Sequence, residues 1–139
     1  MQEKIRFLKL FLSGNSDLPP ALITKKICDH LPASIFIYDV ENHLIRYVNK
    51  EFGDVTGKTL DDLAAAAPTV WQCFLHPDDV VHAETLVTLD HAHSGTKQSP
   101  GKVRIFDQHR HLHFYSISAT SILKHDDGQN RLMLFTAYV

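Results

Sequence analysis

Five stretches of the chain are predicted to be strands, and two of them, 44–48 and 102–106, alternate between apolar and polar residues as half-buried strands do. Alternation sends successive side chains to opposite faces, so such a stretch can bury one face and expose the other. β-Branched and aromatic residues dominate these stretches, which also favours strands. The predicted strands are 34–40, 44–48, 102–106, 111–123 and 131–139. Short polar turns join the last three, so we predict an antiparallel meander there.

Apolar residues recur at helical spacing before and between these strands. The predicted helices cover 3–12, 17–31 and 76–93, and two short ones follow Asn49 and Thr59. The buried side of the 76–93 helix is expected to consist of Val80, Ala83, Leu86 and Val87. Strands plus helices gathered on one face predict an α+β domain.

The segment after the second strand carries the strongest local signals. Asn49 has a side-chain oxygen that can accept a hydrogen bond from a free backbone N–H of a starting helix. Gly57 tolerates the left-handed geometry that ends a helix. Thr59 is predicted to cap the next helix, with Asp61 and Asp62 in its first turn, where the helix dipole favours negative charge. A strand therefore runs directly into two short helices.

Composition narrows the class of protein. The chain has 139 residues, which suits one domain with a real core. Its net charge of −2 gives no basic field for nucleic acid, so we expect no direct nucleic-acid binding. No apolar run approaches the ~20 residues of a membrane span. Cys28 and Cys73 lack the spacing of a metal site and are expected to be reduced thiols of a cytoplasmic protein.

Three motifs resemble the PAS domain family of sensor modules. The first is an Asn, an aromatic residue three positions on, Thr-Gly and a capped acidic turn, matched by Asn49, Phe52, Thr56, Gly57, Asp62 and Leu63. The second is His76-Pro77-Asp78-Asp79, and the third is the strand start at 31–39. Lys58 departs from the pattern, since the family often has an aromatic residue there.

The resemblance implies a fold and a domain layout. We expect a five-stranded antiparallel PAS sheet with helices on one face, preceded by an N-terminal amphipathic helix. The PAS domain would cover 28–139, and 1–27 would form a helical extension.

In the PAS family the sheet and the helices can enclose a ligand pocket. By resemblance, a small-molecule pocket would be lined by Phe36, Tyr38, Phe52, Trp71, Leu86, Tyr115, Ile117 and Tyr138. Ala119 and Thr136 are expected to face inward with them. The alternative is that these large rings fill the core themselves.

No cofactor is identified by the sequence. Light-oxygen-voltage domains carry Cys-Arg-Phe-Leu, whereas Cys73 is followed directly by Phe74 and Leu75, so the flavin-phosphate Arg is missing. Haem-binding relatives place an axial His on the long helix, where His82 is the candidate. A haem- or other cofactor-bound sensor is therefore one alternative, and a ligand-free protein-interaction module is another.

His109, His111 and His113 alternate at the start of the fourth strand. Strand geometry would put all three on one face, where two could share a metal ion if Asp107 helped. His109 falls in the preceding turn, so the alternatives of adventitious binding and plain strand residues stay open. We assign no metal site from the sequence. No nucleophile, P-loop or metalloprotease motif is present, so we expect no enzymatic activity.

The N-terminal helix needs an apolar partner because a short helix is unstable alone. We expect a homodimer through its apolar residues, which are Ile5, Phe7, Leu8, Phe11 and Leu12. Packing on its own domain and binding at a membrane surface are the alternatives. The resemblance implies a sensory and dimerisation module that relays ligand or partner binding to an output domain beyond Val139, as in a transcription factor or kinase.

Overall fold

A computed structural model describes the backbone of residues 20–88 and 98–139, and the side chains of 25–88 and 101–139. The predicted helix at 3–12 and its apolar residues, Ile5, Phe7, Leu8, Phe11 and Leu12, lie outside these ranges. So does the predicted last turn of the helix expected to reach His93.

The five predicted strands form one antiparallel sheet. They are β1 (Ser34–Asp39), β2 (Leu44–Val48), β3 (Gln98–Phe106), β4 (Leu112–Lys124) and β5 (Asn130–Tyr138). Their order across the sheet is β2-β1-β5-β4-β3, so β5 lies between β1 and β4. In this register Phe36 of β1 pairs with Val48 on one side and Phe135 on the other. The predicted sheet and meander are confirmed.

Within the described residues, four α-helices and one 3-10 helix accompany the sheet. They are α1 (Pro20–Asp29), α2 (Lys50–Thr56), α3 (Leu60–Ala66), the 3-10 helix Val70–Cys73 and α4 (Pro77–Thr88). The four buried residues predicted on α4 are all buried. None of the helices in the described ranges is both long enough and apolar enough to cross a membrane.

Both faces of the sheet bury apolar side chains, and this is why all six residues of β1 are buried. We call the face that packs against α2, α3, the 3-10 helix and α4 the inner face, and the opposite one the outer face. The inner cluster includes Phe36, Ile117 and Phe135. The smaller outer cluster joins Ile35 and Ile37 to Cys28 of α1. Thus α1 contributes to the face opposite the other helices.

The register of β5 corrects one part of the sequence analysis. Thr136 and Tyr138 were expected to face inward, but Phe135 and Ala137 belong to the inner cluster instead. Because side chains alternate along a strand, Thr136 and Tyr138 lie on the outer face. The odd-numbered and the even-numbered residues of β5 are both largely apolar, so the sequence could not show which set faces inward.

The His76-Pro77-Asp78-Asp79 motif joins α4 to the edge strand β3. His76 Nδ1 accepts a hydrogen bond from the Asp78 backbone N–H at 3.1 Å, which caps the helix. Asp79 accepts from the Arg104 side chain at two atoms, both at 3.0 Å, and from the Arg104 backbone N–H at 2.7 Å. This two-pronged pair holds the pKa of Asp79 below its usual range, because Arg104 hydrogen bonds favour the charged carboxylate.

Candidate functional site

The centre of the inner face is a cluster of aromatic rings around Phe36. Its ring centroid lies 5.4 Å from Phe52, 5.6 Å from Phe74 and 5.8 Å from Trp71. On the sheet itself Phe36 stacks on Phe135 at 5.0 Å, with ring planes 1° apart. Rings at these separations are in direct contact, so the cluster joins the helices to β1 and β5.

Asn49 sets the position of this cluster on the helical side. Its Oδ1 accepts from the backbone N–H of Phe52 at 3.1 Å, capping α2, and from that of Ile35 at 2.9 Å. Its Nδ2 donates to the carbonyl oxygens of Cys28 at 2.9 Å and Ala33 at 2.8 Å. The predicted cap is confirmed, and the same carboxamide also holds α1 and β1. Phe52 is thereby directed against Phe36.

Most residues predicted to line a pocket lie together in the inner cluster. These are Phe36, Tyr38, Phe52, Trp71, Leu86, Tyr115 and Ile117, with Ala119 beside them. Tyr138 is excluded because it lies on the outer face. Whether this set binds a ligand stays a prediction.

Phe74 and Phe135 are central to the cluster and were not among the predicted residues. Phe74 follows the 3-10 helix and is 1% exposed, and Phe135 is 0% exposed. The signal for Phe74 was its place in the apolar run that ends before the helix cap at His76. For Phe135 the signal was ambiguous, because its neighbours on both sides are apolar.

Tyr38 brings a hydroxyl group to the edge of the cluster. Its ring lies 4.9 Å from Trp71, and its hydroxyl is 3.1 Å from Nδ1 of His43, which has a φ of 55°. Burial raises the pKa of Tyr38, and the negative charges of Glu84 and Asp39 add to this. The hydroxyl therefore stays protonated at neutral pH and serves as a hydrogen-bonding group.

No protein-family model matches the sequence, and no curated protein matches it either. The architecture, however, is shared with solved structures. The PAS domain of a protein from Colwellia psychrerythraea has a TM-score of 0.62 and 16% identity, covering 84% of this chain and 93% of that one. This chain has the PAS fold. The family resemblance inferred from the motifs is confirmed at that level.

Two further structures have the same architecture. The PAS domain of an HTR-like protein from Haloarcula marismortui has a TM-score of 0.57 and 12% identity, over 84% of this chain and 88% of that one. A sensory box histidine kinase/response regulator from Burkholderia thailandensis has a TM-score of 0.54 and 12% identity, over 84% and 81%. At such identities the likeness concerns the fold alone.

The interior of this PAS fold does not fit a haem or a flavin in the conformation observed. Neighbouring rings of the aromatic cluster touch one another, with centroids 5.0 to 5.9 Å apart. The cluster consists of Phe36, Phe52, Trp71, Phe74 and Phe135. A planar cofactor between sheet and helices would have to separate these rings, at the cost of their dispersion contacts. The haem- and flavin-bound alternatives would therefore require a rearranged core, and no observation tests them.

Cys73 and His82 were the candidate residues for flavin and haem attachment, and neither is arranged for it in this structure. Burial raises the pKa of the Cys73 thiol, so the sulfur is not an activated nucleophile. His82 is half-buried on α4, and its Nε2 is shielded from solvent with no hydrogen-bond partner among the described residues. An imidazole so placed could ligate a metal only after the neighbouring core had opened, so the haem alternative stays a prediction.

The three histidines near the start of β4 are arranged around Asp107. His109 lies in the turn between β3 and β4, as its position suggested, and His111 just precedes β4. The Nε2 atom of His113 lies 2.8 Å from Oδ2 of Asp107. Within 20–88 and 98–139, no group of three or more His, Cys, Asp or Glu side chains is arranged so that it could hold a metal ion.

Proposed function

We propose that this chain is the sensory and dimerisation module of a cytoplasmic signal-transduction protein, such as a transcription regulator or kinase. Its input would be the binding of a protein partner or a small ligand. Its output would pass to an effector domain on the same polypeptide. The PAS fold supports a sensory module, and nothing in the sequence supports a catalytic one.

The observation that carries this proposal is the continuous contact between the helical layer and β5. Trp71 of the 3-10 helix lies 5.1 Å from Phe135, and Phe36 stacks on the same ring. A shift of the 3-10 helix would therefore act directly on β5, the central strand at the end of the chain. Close-packed rings transmit such shifts because the interior has little free volume.

The same packing favours a partner-binding input over a resident cofactor. Five aromatic side chains occupy the region where a ligand pocket was expected, and each is at most 3% exposed, namely Phe36, Phe52, Trp71, Phe74 and Phe135. A solid core of this kind supports the ligand-free interaction module among the alternatives.

Dimerisation would use the N-terminal segment, whose apolar residues Ile5, Phe7, Leu8, Phe11 and Leu12 recur at helical spacing. Pairing two such helices would bury surface that a single short helix leaves in water. The segment lies outside the described residues, so the support for this part is the sequence pattern alone.

Native mass spectrometry of the freshly purified chain tests both parts. We expect a dimer without the added mass of a haem, a flavin or a metabolite on either protomer, and a monomer after deletion of residues 1–14. Additional mass equal to a haem, a flavin or a metabolite would contradict the solid-core input. A monomer from the intact chain would contradict the dimerisation role.

Fluorescence of Trp71 tests the sensory role itself. Trp71 is the only tryptophan in the chain and lies in the proposed route of transmission. Binding of a genuine partner should shift its emission, because the 3-10 helix moves against Phe135. A partner captured from the native host that leaves the emission unchanged would argue against transmission through this route.

A further inference from the structure

The turn between β3 and β4 is organised by one carboxylate. Asp107 Oδ1 accepts from the backbone N–H groups of His109 at 2.8 Å and His111 at 2.9 Å. The Asp107 N–H donates to the His111 carbonyl oxygen at 2.8 Å, closing the turn. These bonds fix the orientation of the carboxylate and leave Oδ2 directed at two imidazoles.

Oδ2 of Asp107 faces nitrogen atoms of His113 and His111. Nε2 of His113 is 2.8 Å away, and Nδ1 of His111 is 3.9 Å away. The Asp107 side chain is 19% exposed, whereas those of His111 and His113 are 76% and 51% exposed. The two rings can therefore reorient in solvent at little packing cost, while the carboxylate stays in place.

We propose that Asp107, His111 and His113 form a surface site for a divalent transition-metal ion of the zinc type. Imidazole nitrogen and carboxylate oxygen are ligands that Zn²⁺ takes, at bond lengths that put tetrahedral ligand atoms about 3.3 Å apart. The separations of 2.8 Å and 3.9 Å lie on either side of that value. In the arrangement described, these three side chains do not form a group that could hold a metal ion. Small rotations of the two exposed rings would form such a group, with solvent as the fourth ligand.

Binding requires one proton to move. Nε2 of His113 must offer its lone pair to the metal, so a hydrogen that it shares with Asp107 has to leave that nitrogen. In neutral imidazole the hydrogen moves to Nδ1, and in imidazolium one proton is released to solvent. The fixed Oδ1 contacts would act as the second coordination shell that orients the carboxylate.

An ion at this site would stiffen a connection to the helical layer. The next residue, Gln108, donates its backbone N–H to the Val55 carbonyl oxygen of α2 at 3.0 Å. The site lies outside the aromatic cluster, so this inference does not depend on the proposed relay through Phe135.

Titration of the chelator-treated chain with Zn²⁺, followed by calorimetry, tests the site. We expect one ion per chain, with affinity lowered about tenfold or more by His113→Ala and by His111→Ala. His30→Ala removes an exposed histidine elsewhere and is the matched control, expected to bind as the wild type does. Equal affinity in the wild type, His113→Ala and His111→Ala would overturn the proposal.

Two additional variants separate this site from other histidines. The double variant His91→Ala/His93→Ala should still bind Zn²⁺. Loss of Zn²⁺ binding in this variant would assign the ion to that segment and overturn the proposal. With Co²⁺ as the probe, visible absorption typical of tetrahedral coordination should appear in the wild type and vanish in His113→Ala. Absorption that persists in His113→Ala would likewise exclude the site.

Discussion

Asn49 joins three segments of the chain through one side chain. Its oxygen accepts from α2 and β1, and its nitrogen donates to carbonyl groups of Cys28 and Ala33. The residue is 2% exposed, so groups that lost these bonds could not turn to water instead. A helix cap inferred from sequence is here also the point at which α1, β1 and α2 meet.

Replacing Asn49 should destabilise the domain more than an ordinary cap does. We expect Asn49→Ala to lower the free energy of unfolding by about 3 kcal/mol, the sum of a lost cap and unpaired buried groups. Asn49→Ser, which keeps a capping oxygen, should recover about 1 kcal/mol of this. Urea denaturation measures both.

Gln72→Ala is the control for this comparison, because Gln72 is an exposed carboxamide and its loss should be nearly neutral. If Asn49→Ala cost no more than Gln72→Ala, the shared role of Asn49 in the three segments would be wrong.

At the scale of elements, α2 ends against the turn between β3 and β4. Gly57 ends the helix with a φ of 70° and donates its N–H to the Gly53 carbonyl oxygen. A Cβ atom at Gly57 would lie 2.8 Å from Cβ of Gln108. Gly57 thus meets two requirements, left-handed geometry and close approach of a neighbouring turn, and only the first was visible in the sequence.

Substituting Gly57 separates these requirements. Gly57→Ala should cost more than Gly128→Ala. Gly128 also has positive φ, 88°, but no heavy atom of the described residues beyond its chain neighbours lies within 4 Å of an added Cβ. The backbone term common to both is about 1 kcal/mol. Thermal or urea unfolding of both variants gives the difference.

Removing the facing Cβ with Gln108→Gly should reduce the cost of Gly57→Ala, as a double-mutant cycle would show. Equal costs for the two glycine variants in the wild-type background would mean that the turn moves aside freely.

In the molecule as a whole, one part of the sheet is buried on both faces, whereas another part exposes its outer face to solvent. Phe36 on the inner face is fully buried, whereas Phe114 on β4 is 65% exposed. The same side chain therefore occurs in two contrasting environments of one sheet.

These two phenylalanines give a matched test of the packed interior. Phe36→Ala should lower the free energy of unfolding by about 4 kcal/mol, because it leaves a cavity bordered by four rings. Phe114→Ala should change it by about 0.5 kcal/mol or less. Urea denaturation of both variants is the measurement. A small effect of Phe36→Ala would indicate loose packing and reopen the case for a ligand pocket.

Local chemistry in the sequence determined the elements. Caps at Asn49 and Thr59, the stop at Gly57 and the start before Pro77 each depend on neighbouring atoms, so they could be inferred one segment at a time. The PAS motifs placed these elements in a known order, and the apolar side of α4 followed from its helical period.

Features that depend on pairing between distant segments could be known only from the tertiary structure. The face chosen by Tyr138 depended on the register of β5 against β1 and β4, because both alternations of that strand are apolar. The grouping of Phe74 and Phe135 around Phe36, and of His113 with Asp107, likewise required the assembled sheet. Register and side-chain approach are set by the balance of long-range contacts, which no single stretch of sequence contains.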